Sequence, residues 1–429
     1  MGRILVAVTP LAGHVNPMLL VAESLCTHGH DVFFHTAEAF REKVQATGLR
    51  FLPLLGSANY DYRKMGEVVP ELRTAAPGND QANVYVKHLF GDRIPDQDRG
   101  LRQIINEQNI DVVMIDVAFC GIFPSLLRDE SRPSVISCGV IAPIWHDPAF
   151  SVFTGPDTTP EGRKRNLEDS RRFNEDRAPG ARYIDKVLAE LGVEIPGGYN
   201  ANAVYRLPDL FLQFGAEAFE FPMEDRPANL RFTGPILPKR KSTMSTPAWL
   251  ERLDGFKPIV FVTQGTLANF DFDQLVNPAI MGLAEEDVQV IVTAGGSKVD
   301  TIVAPENVIV EAYVPYEMAL PKASLFVTNG GYNGVQQALS YGVPVVAAGV
   351  SEDKSQVCAR VSWSGVGIGL QTSTPSPEQI RDSVRQILGD PGYRKRAQTI
   401  GASIAKMDAL KTIAEVVEVA IANAAAQKA

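Results

Sequence analysis

RILVAVTP (3–10), NPMLLVAESLCT (16–27), DVFFHTA (31–37), REKVQAT (41–47) and LRFLPL (49–54) follow one another at the start of the chain. The first, third and fifth are short apolar runs of strand length. The second reads as a helix with Asn16 as N-cap, Pro17 in the first turn and Gly29 as its stop. The fourth reads as a helix closed by Gly48. Strands alternating with helices at this spacing make βαβ units, and therefore a parallel sheet.

Outward from there, residues 55–108 are less regular, with Pro and Gly breaking helical pieces. The alternation resumes with DVVMIDV (111–117) and SVISCGV (134–140), and DLFLQFG (209–215) and LRFTGPILP (230–238) complete it. Residues 147–200 are rich in charge, Pro and Gly, and predict a mobile excursion with one helix near 182–191. PKRKSTMSTP (238–247) has the composition of an exposed linker. The pattern then restarts with PIVFVTQGT (258–266), VQVIVTAGG (288–296), NVIVEAYVP (307–315), LFVTNGG (325–331) and VPVVAAG (343–349). Helices are expected at 271–286, 334–341, 355–364 and 377–388, and an amphipathic helix at the tail. The expectation is an α/β chain of two Rossmann-like parallel-sheet domains, 1–237 and 248–429, facing across a cleft. The last helix is free to pack back on the first domain. Ligands of open α/β sheets bind at the carboxyl ends of strands, so chemistry belongs in the loops after each strand.

Composition narrows the function. The chain has 429 residues, 45% hydrophobic and 21% charged, and a net charge of −9. These are globular numbers, and the acidic balance argues against a nucleic-acid partner. Four cysteines without a C-x-x-C pair give neither a disulfide framework nor a zinc site. ILVAV (4–8) is too short for a signal-peptide core, and no apolar stretch is long enough to span a bilayer. A cytoplasmic protein is expected.

The sharpest loop is TNGGYNG (328–334), whose glycines allow close backbone approach to a ligand before a helix start. A tight strand–helix turn uses glycine equally well. QGTLAN (264–269) offers Gly265 and Thr266 at a second such start, and two such loops suit a diphosphate better than one. The G-x-G-x-x-G fingerprint follows the first strand of neither half, which disfavours a nicotinamide enzyme. In the first half, His14 follows strand one, and Asp116 ends another strand that could orient its ring. The competing role for Asp116 is a helix N-cap. DFD (271–273) has metal-ligand spacing but opens a helix, where Asp caps.

Taken together, these residues resemble the family 1 nucleotide-sugar glycosyltransferases of GT-B fold over essentially the whole chain. GHVNP (13–17) resembles the family's base motif. The run from Tyr313 to Asp353, with YVPY, TNGGYNGVQQAL, GVP and a closing acid in order, resembles its donor signature. The resemblance implies metal-free, inverting transfer of a hexose from a UDP-sugar, with UDP-glucose first and TDP-sugars second, to a small acceptor. It implies His14 as general base and Asp116 as its partner. Tyr313 and Val314 would hold the nucleobase, Thr266 and Gly330, Gly331, Tyr332, Asn333 and Gly334 the diphosphate, Gln337 the ribose, and Asp353 and Lys354 the sugar hydroxyls. Three positions depart from the family pattern: Asn329 stands for His, Gln337 for Glu and Lys354 for Gln. Residues 55–100 and 147–200 are expected to line an apolar acceptor pocket, with Trp145 and Phe119 in its wall. A nucleotide-sugar epimerase and a non-catalytic nucleotide-sugar binder are the alternatives. The first needs an acid/base pair on both faces of the sugar, and no such pair can be placed.

Overall fold

The computed structural model describes residues 1–76, 78–238, 247–253, 255–265, 271–297, 299 and 302–428. Thr266 and nearly all of the expected linker lie outside the described residues.

The first half is built on β1 (Arg3–Ala7), β2 (Asp31–Thr36), β3 (Arg50–Pro53), β4 (Val112–Asp116) and β5 (Ser134–Gly139). A short antiparallel hairpin, β6 (Phe150–Ser151) and β7 (Gly155–Pro156), precedes β8 (Leu210–Gln213) and β9 (Leu230–Phe232). The seven-stranded sheet runs β3-β2-β1-β4-β5-β8-β9, and every neighbour pairs in parallel. The second half holds β10 (Ile259–Thr263), β11 (Gln289–Thr293), β12 (Val308–Glu311), β13 (Leu325–Thr328), β14 (Val345–Ala348) and β15 (Gly367–Leu370). They form a six-stranded parallel sheet, β12-β11-β10-β13-β14-β15. Ile4, Leu5, Val6 and Ala7, like Val260, Phe261 and Val262, are fully buried. Helices cover both faces of a parallel sheet, which is why these strands read as unbroken apolar runs. The strand order reverses between β1 and β4, and again between β10 and β13. Those two switch points are where open α/β sheets leave a crevice for ligand.

The helix after β1 begins earlier than expected, at Ala12, and runs to Thr27. Leu11 is its N-cap in extended conformation and caps nothing with its side chain, so no local signal marks the start. Asn16 and Pro17 lie inside, where proline's missing N–H deprives only the Gly13 carbonyl of a helix bond. His14 therefore stands on a helix rather than in a loop. The charged excursion is also corrected: Pro160–Glu190 is one helix of 31 residues. Thr159 caps it through the Gly162 N–H at 3.0 Å. Its charges pair along an exposed face, Arg171 with Glu168 and Glu175, while Phe173, Ile184 and Leu188 point inward. Pro391–Ile404 and β15 were not anticipated.

The halves are stitched together by buried polar groups. Arg360 on the Lys354–Ser364 helix binds Glu220 at 2.6 Å and the Pro143 carbonyl at 2.9 Å. Glu220 also accepts from the Tyr332 hydroxyl. Gln336 accepts from Ala216 N at 2.8 Å and donates to the Phe214 carbonyl at 3.1 Å. Arg360 and Gln336 are both fully buried. The C-terminal helix, Ala409–Lys428, returns to the first sheet, where Ile413 and Val417 share a core with Val15 and Met18.

Candidate active site

Asp116, the last residue of β4, is fully buried and receives three donors. Oδ1 accepts from Thr9 N at 2.6 Å; Oδ2 accepts from Ala118 N at 3.0 Å and faces His14 Nδ1 at 2.7 Å. An ionised carboxylate only accepts, so this contact assigns the ring proton to Nδ1 and leaves the Nε2 lone pair free. The short helical turn that follows, Cys120–Ile122, has Phe119 as its N-cap, so Asp116 is not a helix cap. The His14 side chain is 12% exposed. Burial pulls its pKa down, but the charge and hydrogen bond of Asp116 outweigh burial, aided by Asp353 and Glu352, and the net shift is upward. β1 and β4 are neighbours at the switch point, so the strand order itself brings the pair together.

Facing them across the crevice are the loops after β10, β13 and β14. Gly265 has φ +78, and a Cβ there would lie 3.2 Å from Asn329 Nδ2. Asn329 Nδ2 donates to the Gln264 carbonyl at 2.6 Å. The amide expected to face a phosphate thus spends one donor tying its loop to that after β10. Gly330 takes φ +84, and Gly331 is the N-cap of Tyr332–Ser340, a helix start without a side-chain cap. Such a start leaves backbone N–H groups available to an anion.

Other expected site residues are placed differently. Tyr332 is buried with its hydroxyl on Glu220, and Asn333 Nδ2 donates to the Val140 carbonyl at 3.3 Å. Both side chains join the halves instead of facing a donor, because this helix packs against the first half. Tyr313 is 65% exposed just past β12, whereas Val314 is buried and its N–H donates to Thr293 Oγ1 at 3.0 Å. Gln337 is buried in the same helix, one residue after Gln336. Asp353 is buried and accepts from Ala142 N at 2.8 Å; burial pushes its pKa up. Lys354 Nζ pairs with Glu352 at 3.0 Å, and Glu352 holds φ +56, a conformation rarely adopted by a side-chain-bearing residue. Gln264, Asn329, Gly349, Ser351 and Lys354 line a small cavity at these strand ends.

Trp145 and Phe119 are corrected as well. Trp145 is fully buried against Tyr205 with Arg206 over its ring, and Phe119 is buried beside Cys120 and Ile122. Both are core residues, since β4 and β5 pass from strand into packed loop at those points. In DFD, Asp271 is the cap of the following turn, its Oδ1 accepting from Asp273 N at 3.0 Å, and Asp273 accepts from the Asn277 side-chain amide at 2.7 Å. Among the described residues, no three His, Cys, Asp or Glu side chains are gathered as a metal site, and no helix is long and apolar enough to cross a membrane. Sequence reading missed Gln264, Glu220 and Arg360. Glu220 and Arg360 lie 140 residues apart, and neither sits in a recognisable motif.

Comparison with known proteins agrees with this fold. Residues 279–422 match the family described as Erythromycin biosynthesis protein CIII-like, C-terminal domain. The chain is 32% identical to UDP-glycosyltransferase 2 of Phaeomoniella chlamydospora, covering 96% of this chain and 94% of that one. It is 34% identical to 4'-demethylrebeccamycin synthase of Lentzea aerocolonigenes, over 97% and 99%. The crystal structure of the kitacinnamycin glycosyltransferase superposes with a TM-score of 0.73 at 22% identity, over 98% and 99% of the two chains. With two parallel sheets, two facing switch points and relatives matched end to end, the chain belongs to the family 1 nucleotide-sugar glycosyltransferases of GT-B fold.

Proposed function

We propose that the chain moves a hexose from a UDP-sugar, UDP-glucose first among them, to a hydroxyl of a small apolar or aromatic acceptor, with inversion and without a metal. The observation that carries this reading is the His14–Asp116 pair, with Nε2 free, opposite the uncapped start of the Tyr332–Ser340 helix. The names of relatives as UDP-glycosyltransferase and as a synthase of 4'-demethylrebeccamycin support a UDP donor and a natural-product acceptor.

An alcohol is a weak nucleophile at neutral pH. His14 Nε2 takes the acceptor proton as the oxygen attacks the anomeric carbon, and Asp116 stabilises the imidazolium that results. The new C–O bond forms as the bond to the β-phosphate oxygen breaks, and UDP leaves with the electron pair. Backbone amides at 331–334, with Thr266, receive that charge. Tyr313 offers its exposed ring to the base, Gln337 lies toward the ribose, and Asp353 and Lys354 hold the sugar hydroxyls. Residues 248–429 form the donor half. Contact between the halves excludes the water that would hydrolyse the donor.

Incubation with UDP-glucose, TDP-glucose and a panel of hydroxyaromatics tests the reading. A glycoside of inverted anomeric configuration supports it. An epimerised nucleotide sugar would replace it with the epimerase, and an unchanged but bound donor with the non-catalytic binder.

A further inference from the structure

The acceptor side of the crevice holds polar groups that no described protein atom satisfies. The hydroxyls of Thr9 and Tyr60 and the Nε of Arg93 are buried without hydrogen-bond partners among the described residues. Thr9 is 1% exposed and Tyr60 8%. Buried donors are seldom left unmade. Thr9 is bonded to Asp116 through its backbone, Tyr60 feels the charge of Asp116, and Arg93 lies over the Tyr60 ring, so these three cluster round the partner of His14.

All three stand at the carboxyl edge of the first sheet. Thr9 follows β1 and gives its backbone N–H to Asp116. Tyr60 lies in the segment after β3, and Arg93 is the N-cap of Ile94–Gln108, the helix that leads into β4. Burial and the nearby Asp116 charge hold the Tyr60 phenol far above its usual pKa, against the pull of Arg93, so it remains a proton donor. The Arg93 guanidinium lies 5.7 Å from the centre of the Tyr60 ring. One of its nitrogens donates to the Val68 carbonyl at 3.3 Å, and no carboxylate pairs with it among the described residues.

Around this point the surface is apolar. Tyr60, Val69 and Leu89 are buried, with Leu11, Met65 and Tyr85 packed against them. Leu11 immediately precedes the helix that carries His14. Tyr85 opens a π-helical run, Tyr85–Phe90, a distortion often found at functional sites. The charge of Glu352 reaches Tyr85, so this wall meets the second half near the acidic loop.

We propose that Arg93 and Tyr60 form an anion subsite beside His14 that takes the carboxylate of a hydroxy-acid acceptor. This deepens the glycosyl-transfer reading and rests on it. A carboxylate has one oxygen for the guanidinium and one for the phenol O–H, and the apolar wall takes the acceptor's hydrocarbon body. Arg93 supplies the positive charge such a group needs in a crevice bordered by Asp116, Glu352 and Asp353.

The test is a series of hydroxyaryl carboxylic acids of graded chain length, each beside its methyl ester, with UDP-glucose and TDP-glucose as donors. The parent should use at least one acid about tenfold or more better than its ester in kcat/KM. Arg93→Met should abolish most of that gap by raising KM for the acid, with ester turnover and UDP affinity kept. Tyr60→Phe should narrow it several-fold, and ester turnover reports that each variant is folded. If the parent treats acid and ester alike, or Arg93→Met keeps the gap, ordinary water fills the site and the subsite is overturned. Absence of glycoside from every acceptor and both donors overturns glycosyl transfer itself, and the subsite with it.

Discussion

Asp116→Asn should be about as damaging as His14→Ala, although the amide is nearly the shape of the acid. The carboxylate takes three donors, and an amide keeps a single accepting oxygen. If that oxygen faces Thr9 N, the NH2 faces Ala118 N and His14 Nδ1. If it is turned round, the NH2 faces Thr9 N. The Thr9 contact is 2.6 Å and the Ala118 contact 3.0 Å, so the clash at Thr9 is the worse and the first orientation wins. His14 can then bond the NH2 only by moving its proton to Nε2, the nitrogen that must receive the acceptor proton. The expected loss in kcat is roughly two to four orders of magnitude, the range for a positioned base lost or held in the wrong tautomer. The remaining clash with a buried backbone N–H should cost about 1–3 kcal/mol of stability. Initial rates on an alkyl alcohol and on a nitrophenol and urea unfolding measure the two effects, with calorimetric UDP affinity as the control. The nitrophenol, already acidic, should suffer less than the alcohol, and UDP affinity should stay at the parental level. An Asn variant within tenfold of the parent on the alcohol, beside a crippled His14→Ala, would refute the tautomer argument. Collapse of UDP affinity in either variant would give the pair a structural role instead.

The raised pKa of His14 carries two signs. Its activity as a base should rise with pH through that raised value, so kcat/KM should fall off on the acid side above the ordinary imidazole range. Its contribution to stability should be fully present below the unfolded pKa of about 6.5 and lost as pH rises through the folded one; urea midpoints of parent and His14→Ala across pH measure the difference. Transfer should survive EDTA, and restoration by a divalent ion after chelation would reopen Asp271 and Asp273 as ligands. Arg360→Met leaves Glu220 buried without its cation and should cost about 3–5 kcal/mol in urea unfolding, whereas a loss under 1 kcal/mol would mean the pair contributes little to joining the halves.

The fold was legible wherever burial alone decides structure. A parallel strand covered on both faces must be apolar throughout, and IVFVT (259–263) or ILVA (4–7) can hardly be read otherwise. Reading failed where the deciding interaction is distant or absent from the local sequence. Leu11 starts a helix with no capping side chain, so Asn16 and Pro17 looked like a better beginning. The Pro160–Glu190 helix carries so few apolar positions that its period is hidden by paired charges. β15 is spelled with glycines, Gly367 and Gly369, and a Cβ at the first would meet the Val345 carbonyl and at the second the Cys358 carbonyl. Its composition is set by close packing, which single-sequence periodicity does not register.

For the site, what could be read was position and what could not was orientation. His14 and Asp116 each follow from the rule that chemistry sits at strand ends, and adjacent strands at a switch point must bring such ends together. The same rule marks TNGGYNG, yet a glycine-rich helix start serves two masters. Its backbone faces the crevice, while the side chains of Tyr332, Asn333 and Gln336 turn to the first half, as helical geometry requires of residues packed against a neighbour. A motif therefore identifies a loop without saying which of its atoms meet ligand. The distinction has a chemical consequence. Only proline removes a backbone N–H, so a cradle built of backbone donors would tolerate Asn329 in place of the histidine that the resemblance implies, with the loop keeping its shape. That shape is maintained by the Asn329–Gln264 bond and by the absence of a Cβ at Gly265. Conversely Tyr332, Glu220 and Arg360 act by setting where that helix start lies relative to His14. They do so through contacts between residues more than a hundred positions apart.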